Sequence, residues 1–238
     1  MCPALSPERL IVALDTPDPH KAIMLVQTLM PTGCLFKVGM QLASVALTGS
    51  FRLQTLGIPA GRLMLDLKLW DTPDTVSKTA LYLCQKLQPR FFTIPLPYNH
   101  PSLVAAVRQL KAECPETTLL GVTVPTSMDR TAVWEASDGL YADNNATERA
   151  VTHFAALGAV AKLAGVVCSA HEVGPLMAFG FTVFVTPGIR PAGAQSHDQQ
   201  RTATPAQALA AGATHLVIGR PITQAENPRA ALEAILAA

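Results

Sequence analysis

Asp66, Lys68 and Asp71 stand together in the run Asp66-Leu67-Lys68-Leu69-Trp70-Asp71-Thr72-Pro73, in a chain of 238 residues of which only 15% are charged. The apolar run Leu63-Met64-Leu65 directly before them reads as a buried strand. Ionised side chains at the end of a buried strand are costly unless they pair with one another. Side chains alternate along a strand, so Asp66 and Lys68 are expected on one face. Asp71 falls past the strand end, and Pro73 stops further ladder pairing. Asp15 and Lys37 also close apolar runs. Carboxylates and amines interleaved in one pocket keep each other ionised and supply fixed charge of both signs. A second kind of chemistry is written near the C-terminus. In Gly219-Arg220-Pro221-Ile222-Thr223, glycine lets backbone approach a ligand, proline starts a helix, and arginine offers a two-pronged fork to an oxyanion. Pro187-Gly188-Ile189-Arg190 is a supporting turn.

These residues need elements to hold them. Apolar runs recur at Leu10–Leu14, Cys34–Val38, Arg62–Leu67, Arg90–Ile94, Thr118–Val124, Gly165–Cys168, Phe181–Thr186 and His215–Ile218. Each is continuous rather than alternating, as in strands buried on both faces. Helix-period segments lie between most of them: Pro19–Met30, Thr75–Leu87, Ser102–Leu110, Ala146–Leu163, His171–Phe179, Pro205–Ala211 and Pro228–Leu236. This alternation at this length predicts an α/β chain folded as one (β/α)8 barrel domain over residues 1–238. An open doubly wound sheet is the competitor. Asp15-Thr16-Pro17, not a glycine-rich dinucleotide loop, follows the first strand, which disfavours the Rossmann version. In a barrel the chemistry gathers at the C-terminal strand ends. Read in order, those ends are Asp15, Lys37, Asp66 with Lys68, Pro95, Thr123 to Ser127, Ser169, Pro187-Gly188 and Gly219-Arg220. Phosphate sites in this fold are frequently built after strands 7 and 8, where Arg220 stands. The loop Gly188–Arg201 has almost nothing to bury and is a candidate lid.

Plainer readings compete. A single strand-end Asp or Lys is usually a cap or rim residue, whereas Lys37, Asp66 and Lys68 on adjacent strands are harder to explain so. Cys168, Ser169, His171 and Glu172 invite a nucleophile reading, but no third orienting group accompanies them, and a helix cap is the stronger one. Trp70 reads as packing rather than stacking. Net charge is +1, which disfavours a nucleic-acid partner but leaves a small phosphorylated ligand open. The five cysteines are widely spaced without a CxxC, which points to reduced thiols in a cytoplasmic setting and against zinc or a disulfide framework. No signal-peptide pattern and no run of about 20 apolar residues is present, so no membrane association is expected.

Over nearly its whole length the chain resembles the orotidine 5′-phosphate decarboxylase family. The resemblance rests on Ala13-Leu14-Asp15, Lys37-Val38-Gly39, Asp66-x-Lys68-x-x-Asp71-x-Pro73-x-Thr75, Thr123-Val124 through Thr126-Ser127-Met128, Val167-Cys168-Ser169-Ala170, Thr186-Pro187-Gly188-Ile189-Arg190-Pro191 and Ile218-Gly219-Arg220-Pro221-Ile222. It implies a homodimeric carboxy-lyase of UMP biosynthesis that needs neither cofactor nor metal. Lys68 would donate the proton to C6, Asp66 would face the departing carboxylate, and Lys37 would pair with Asp66 and a ribose hydroxyl. Asp15 would bind the ribose end, Ser127 the pyrimidine, and Arg220, with Gly219, Pro187 and Gly188, the phosphate side. Asp71 and Thr75 would reach into the neighbouring subunit's site. The chain departs from the family pattern at three places. Ala192 stands where a lid glutamine is usual, with Gln195 as a possible substitute. Thr72 follows Asp71 and would put a hydroxyl near the carboxylate pocket. Pro95 ends the fourth strand where histidine is usual. A paralogue acting on a modified carboxylated nucleotide, an inhibitor-resistant copy, and a non-catalytic nucleotide-binding barrel therefore stay open.

Overall fold

A computed structural model of the chain describes residues 5–97, 100–137, 145–191 and 200–237. Eight parallel strands close into a barrel: β1 (Leu10–Ala13), β2 (Leu35–Gly39), β3 (Leu63–Asp66), β4 (Phe91–Pro95), β5 (Thr118–Val122), β6 (Gly165–Val167), β7 (Val183–Thr186) and β8 (His215–Ile218). β8 pairs with β1, so among the described residues the sheet has no open edge. The (β/α)8 expectation holds, and the strands lie where the apolar runs put them, shorter by a residue or two at several ends.

Strand residues alternate between two cores. Ile11, Ala13, Leu35, Met64, Phe91, Leu120, Val122, Val167, Val185 and Val217 fill the barrel interior. Their neighbours face outward, among them Leu10, Val12, Phe36, Leu65 and Phe92, and pack under the surrounding helices. This burial on both faces explains why the runs are continuous. The interior columns also fix where polar side chains can enter. Two residues beyond Leu35 is Lys37, beyond Met64 is Asp66, and beyond Phe91 is Thr93. All three therefore point into the barrel at its C-terminal end.

The outer layer is α1 (Pro19–Leu29), α2 (Met40–Leu47), α3 (Pro73–Leu87), α4 (His100–Glu113), α5 (Arg130–Ala136), α6 (Ala146–Val160), α7 (Val173–Leu176), α8 (Pro205–Ala210), α9 (Arg220–Thr223) and α10 (Pro228–Ala237). Besides α5, which the pattern does not mark, two features depart from the sequence reading. The pattern does not mark α2, because Met40, Leu42, Val45 and Leu47 are spread around it, and Met40 and Leu47 are exposed. The segment His171–Phe179 is not one helix. Two 3-10 turns flank the single turn of α7, and Gly174-Pro175 lies within it. A proline in the first turn of a helix is tolerated, but the run around it is too short to propagate. Pro73 does more than end a ladder: it opens α3 with Thr72 as its N-cap.

Candidate active site

β2 and β3 set the centre of the site. Lys37 is paired in register with Met64, one layer below Asp66, and Asp66 stands opposite Gly39. The glycine matters here. A Cβ at position 39 would lie 3.2 Å from both Asp15 Oδ1 and Lys37 Nζ, inside the space their contact uses.

An alternating row of charge results. Lys37 Nζ lies 2.7 Å from Asp15 Oδ1 and 3.3 Å from Asp66 Oδ2, and Lys68 Nζ lies 2.7 Å from Asp66 Oδ1. Its middle is buried and its ends, Asp15 and Lys68, open to solvent. Burial alone would drive the Lys37 ammonium towards neutrality, but the carboxylates of Asp66 and Asp15 outweigh it and hold its pKa above the ordinary lysine value. Asp66 is the mirror case. Burial favours its protonated form, yet the charges of Lys37 and Lys68, with hydrogen bonds from Lys68 and Thr93, hold its pKa below the usual carboxylate value. Both groups are therefore charged throughout the neutral range.

Lys68 reaches Asp66 by a route that strand alternation does not describe. β3 ends at Asp66, and Lys68 adopts φ +48°, one of few left-handed non-glycine residues among those described. Such a conformation costs of order 1 kcal/mol or more and persists only where neighbours enforce it. Its backbone N–H donates to Thr93 Oγ1 at 3.2 Å, and that hydroxyl donates to Asp66 Oδ1 at 3.0 Å. Thr93 was not among the expected site residues. Its signal was a hydroxyl inside the apolar strand Phe91–Pro95, one turn of the alternation below the strand end.

The charges border a cavity of about 450 Å³. Asp15, Lys37, Asp66, Lys68, Ser127, Pro187, Gly188, Gly219 and Arg220 all line it. Thr126, from the end of the fifth strand run, and Arg190, from the turn after the seventh, line it too. Gly188 has φ +76°, a left-handed turn that suits glycine, and Arg220 begins α9 directly after β8. Asp71 and Thr75 do not line this cavity; both are exposed. Thr72 does not line it either. Its hydroxyl caps α3 and lies 3.0 Å from the Thr75 hydroxyl. Trp70 is 59% exposed, so it does not serve as internal packing. Ala192 and Gln195 lie outside the described residues.

The segment after β6 is structural, as its cap reading held. Ser169 and Glu172 form a reciprocal capping box, and Glu172 is ion-paired with Arg201. Burial pushes the Cys168 thiol up to about 12, so it carries no nucleophilic thiolate. Arg201 also donates to the carbonyls of Val124 and Pro125 at 2.8 and 3.1 Å, which ties the Ser127 segment to this cap. Among the described residues, no group of three or more His, Cys, Asp or Glu side chains could hold a metal ion, and no helix is long and apolar enough to cross a membrane.

The closed parallel barrel is that of a (β/α)8 protein, an architecture whose characterised enzymes work from the C-terminal strand ends, and the fixed charges of both signs stand at that end here. The model of the orotidine 5′-phosphate decarboxylase / HUMPS family matches residues 8–235, and the chain belongs to that family. An orotidine 5′-phosphate decarboxylase from Nitrosococcus oceani is 39% identical over 229 residues, which are 95% of each chain. One from Pseudomonas putida is 40% identical over 230 residues, covering 96% of this chain and 95% of its own. The crystal structure of orotidine 5′-phosphate decarboxylase from Lactobacillus acidophilus matches with a TM-score of 0.75 and 31% identity, over 95% of this chain and 96% of that one.

Proposed function

We propose that this chain is a carboxy-lyase that converts orotidine 5′-monophosphate to UMP. The observation that carries the reading is the Lys37–Asp66–Lys68 row: a buried carboxylate held between two ammonium groups, with Lys68 facing the cavity. When the C6–carboxylate bond breaks, CO2 departs and the electron pair stays on C6, in the ring plane, where no π system can take it up. Fixed charge is then the main help a protein can give. The Lys68 ammonium lies where it can stabilise that pair and pass it a proton, forming the C6–H bond of UMP; the resulting amine is reprotonated from solvent. Asp66 faces the departing carboxylate. A carboxylate set against the substrate's own carboxylate weakens ground-state binding, so Asp66 beside Lys68 suits a site that reacts rather than one that only binds.

The remaining residues fit the two ends of the nucleotide. Asp15 and Lys37 serve the ribose, Ser127 the pyrimidine, and Arg220 the phosphate, with Pro187, Gly188 and Gly219 leaving room for it. Beyond its own neighbours, a Cβ at Gly219 would meet nothing among the described residues closer than Ala13 Cβ at 3.5 Å, so the space it leaves suits a ligand. Contacts at the phosphate, far from C6, lend binding energy to the transition state. Asp71 and Thr75, exposed and away from their own cavity, complete the site of a second copy in a homodimer. The exposed indole of Trp70, next to Asp71, offers apolar area to such a contact.

The test is direct. Purified protein mixed with orotidylate should show the loss of orotidylate absorbance with UMP and CO2 as products. UMP binding without turnover would replace this reading with that of a nucleotide-binding barrel.

A further inference from the structure

We propose that Thr93 is a positioning residue for the proton donor: its single hydroxyl, accepting from the Lys68 backbone and donating to Asp66, sets the angle at which the Lys68 ammonium meets the substrate. The inference rests on the decarboxylase reading and adds a residue to it. Thr93 is fully buried on β4 and faces the barrel interior. A threonine hydroxyl has one proton to give. Here that proton goes to Asp66 Oδ1 at 3.0 Å, because the oxygen's acceptor side takes the Lys68 N–H at 3.2 Å. The chain N–H to hydroxyl to carboxylate is thus directional, and each link polarises the next.

Two consequences follow. The Asp66 oxygens are made unequal: Oδ1 receives Thr93 and Lys68, and Oδ2 receives Lys37. The carboxylate plane is thereby fixed relative to the cavity. The second consequence concerns Lys68, whose left-handed φ of +48° has the bond from its own N–H to Thr93 as its restraint from β4. Without that bond the backbone can relax towards ordinary φ and carry the ammonium away from Asp66. A misplacement of about 1 Å in a reacting group can cost on the order of 100-fold in rate.

Thr93→Val keeps the side chain's shape and removes only the hydroxyl. With orotidylate as substrate, kcat should fall about 10- to 100-fold while KM stays within about threefold, since no ligand contact is removed. Thr93→Ser should recover most of kcat, because it restores the hydroxyl without the methyl. A crystal structure of Thr93→Val should show Lys68 outside the left-handed region or its Nζ beyond hydrogen-bonding distance of Asp66. Unchanged kcat in Thr93→Val, failure of Thr93→Ser to restore it, or an unmoved Lys68 would each overturn the proposal. No turnover by the parent protein would instead remove the decarboxylase reading, and the crystal structure would still decide whether Thr93 holds Lys68.

Discussion

Lys37 shows how much a buried charge depends on its partners. Its ammonium sits between Asp15 and Asp66, and removing it leaves the Asp66 carboxylate buried with Lys68 as its remaining cation. Lys37→Met should therefore destabilise the fold by about 2 kcal/mol, read by urea denaturation at neutral pH. Gly39→Ala adds volume to the same contact, where Asp15 and Lys37 must each give by a few tenths of an ångström. About 1 kcal/mol of destabilisation is expected, with weaker orotidylate binding, because the displaced pair is the one assigned to the ribose. At this scale the sequence was most legible. Asp15, Lys37, Asp66, Lys68 and Arg220 are charges that a mostly apolar chain places at strand ends, and all of them border the cavity. Thr93 was hidden because a threonine in a strand is ordinary, and only the register beside Asp66 gives it meaning.

Eight elements were legible as strands because both of their faces are buried, so the runs are almost continuously apolar up to the barrel mouth. Helices with an apolar face all round, such as α2, or with a glycine-proline step, as around α7, leave no clean period to read. Lys68 meets Asp66 without strand alternation: β3 stops at Asp66, and a left-handed bend makes the contact. The connection after β6 carries its own prediction. Glu172 is buried, holds the Ser169 N–H and pairs with Arg201, which holds the carbonyls before Ser127. Arg201→Met strands that carboxylate and frees the Ser127 segment. It should cost about 3 kcal/mol and raise KM for orotidylate more than it lowers kcat, measured by thermal melts and steady-state kinetics.

For the molecule as a whole, stability is tied to acid. His215 is buried at the N-terminal end of β8, edge-on to Phe91 at 4.9 Å. Burial first, then the positive charges of Arg90 and Arg9, press its pKa down to about 4. The folded state therefore keeps a neutral imidazole that the unfolded chain protonates below about pH 6.5. Unfolded molecules bind more protons in that window, so stability is full above it and falls as pH drops, by about 3 kcal/mol on reaching pH 4. Asp66, with its pKa depressed, adds a loss of the same sign at still lower pH, below the ordinary carboxylate value. Urea titrations across pH 4 to 7 should show the decline, and His215→Leu should flatten it. The assembly has a separate test. Lys68→Ala and Asp71→Ala are each expected to be inactive, but mixing and re-equilibrating them should restore about a quarter of parental activity, since half the dimers carry one intact site. Failure to regain activity would place Asp71 elsewhere than in a neighbour's site.

In the proposed reaction Lys68 delivers the proton to C6. Orotidylate consumption by the parent protein and by Lys68→Ala, compared at equal UMP occupancy, measures it most directly. The parent should turn over, and Lys68→Ala should lose at least about 100-fold in kcat while still binding UMP. Undiminished turnover in Lys68→Ala would rule out Lys68 as the proton donor.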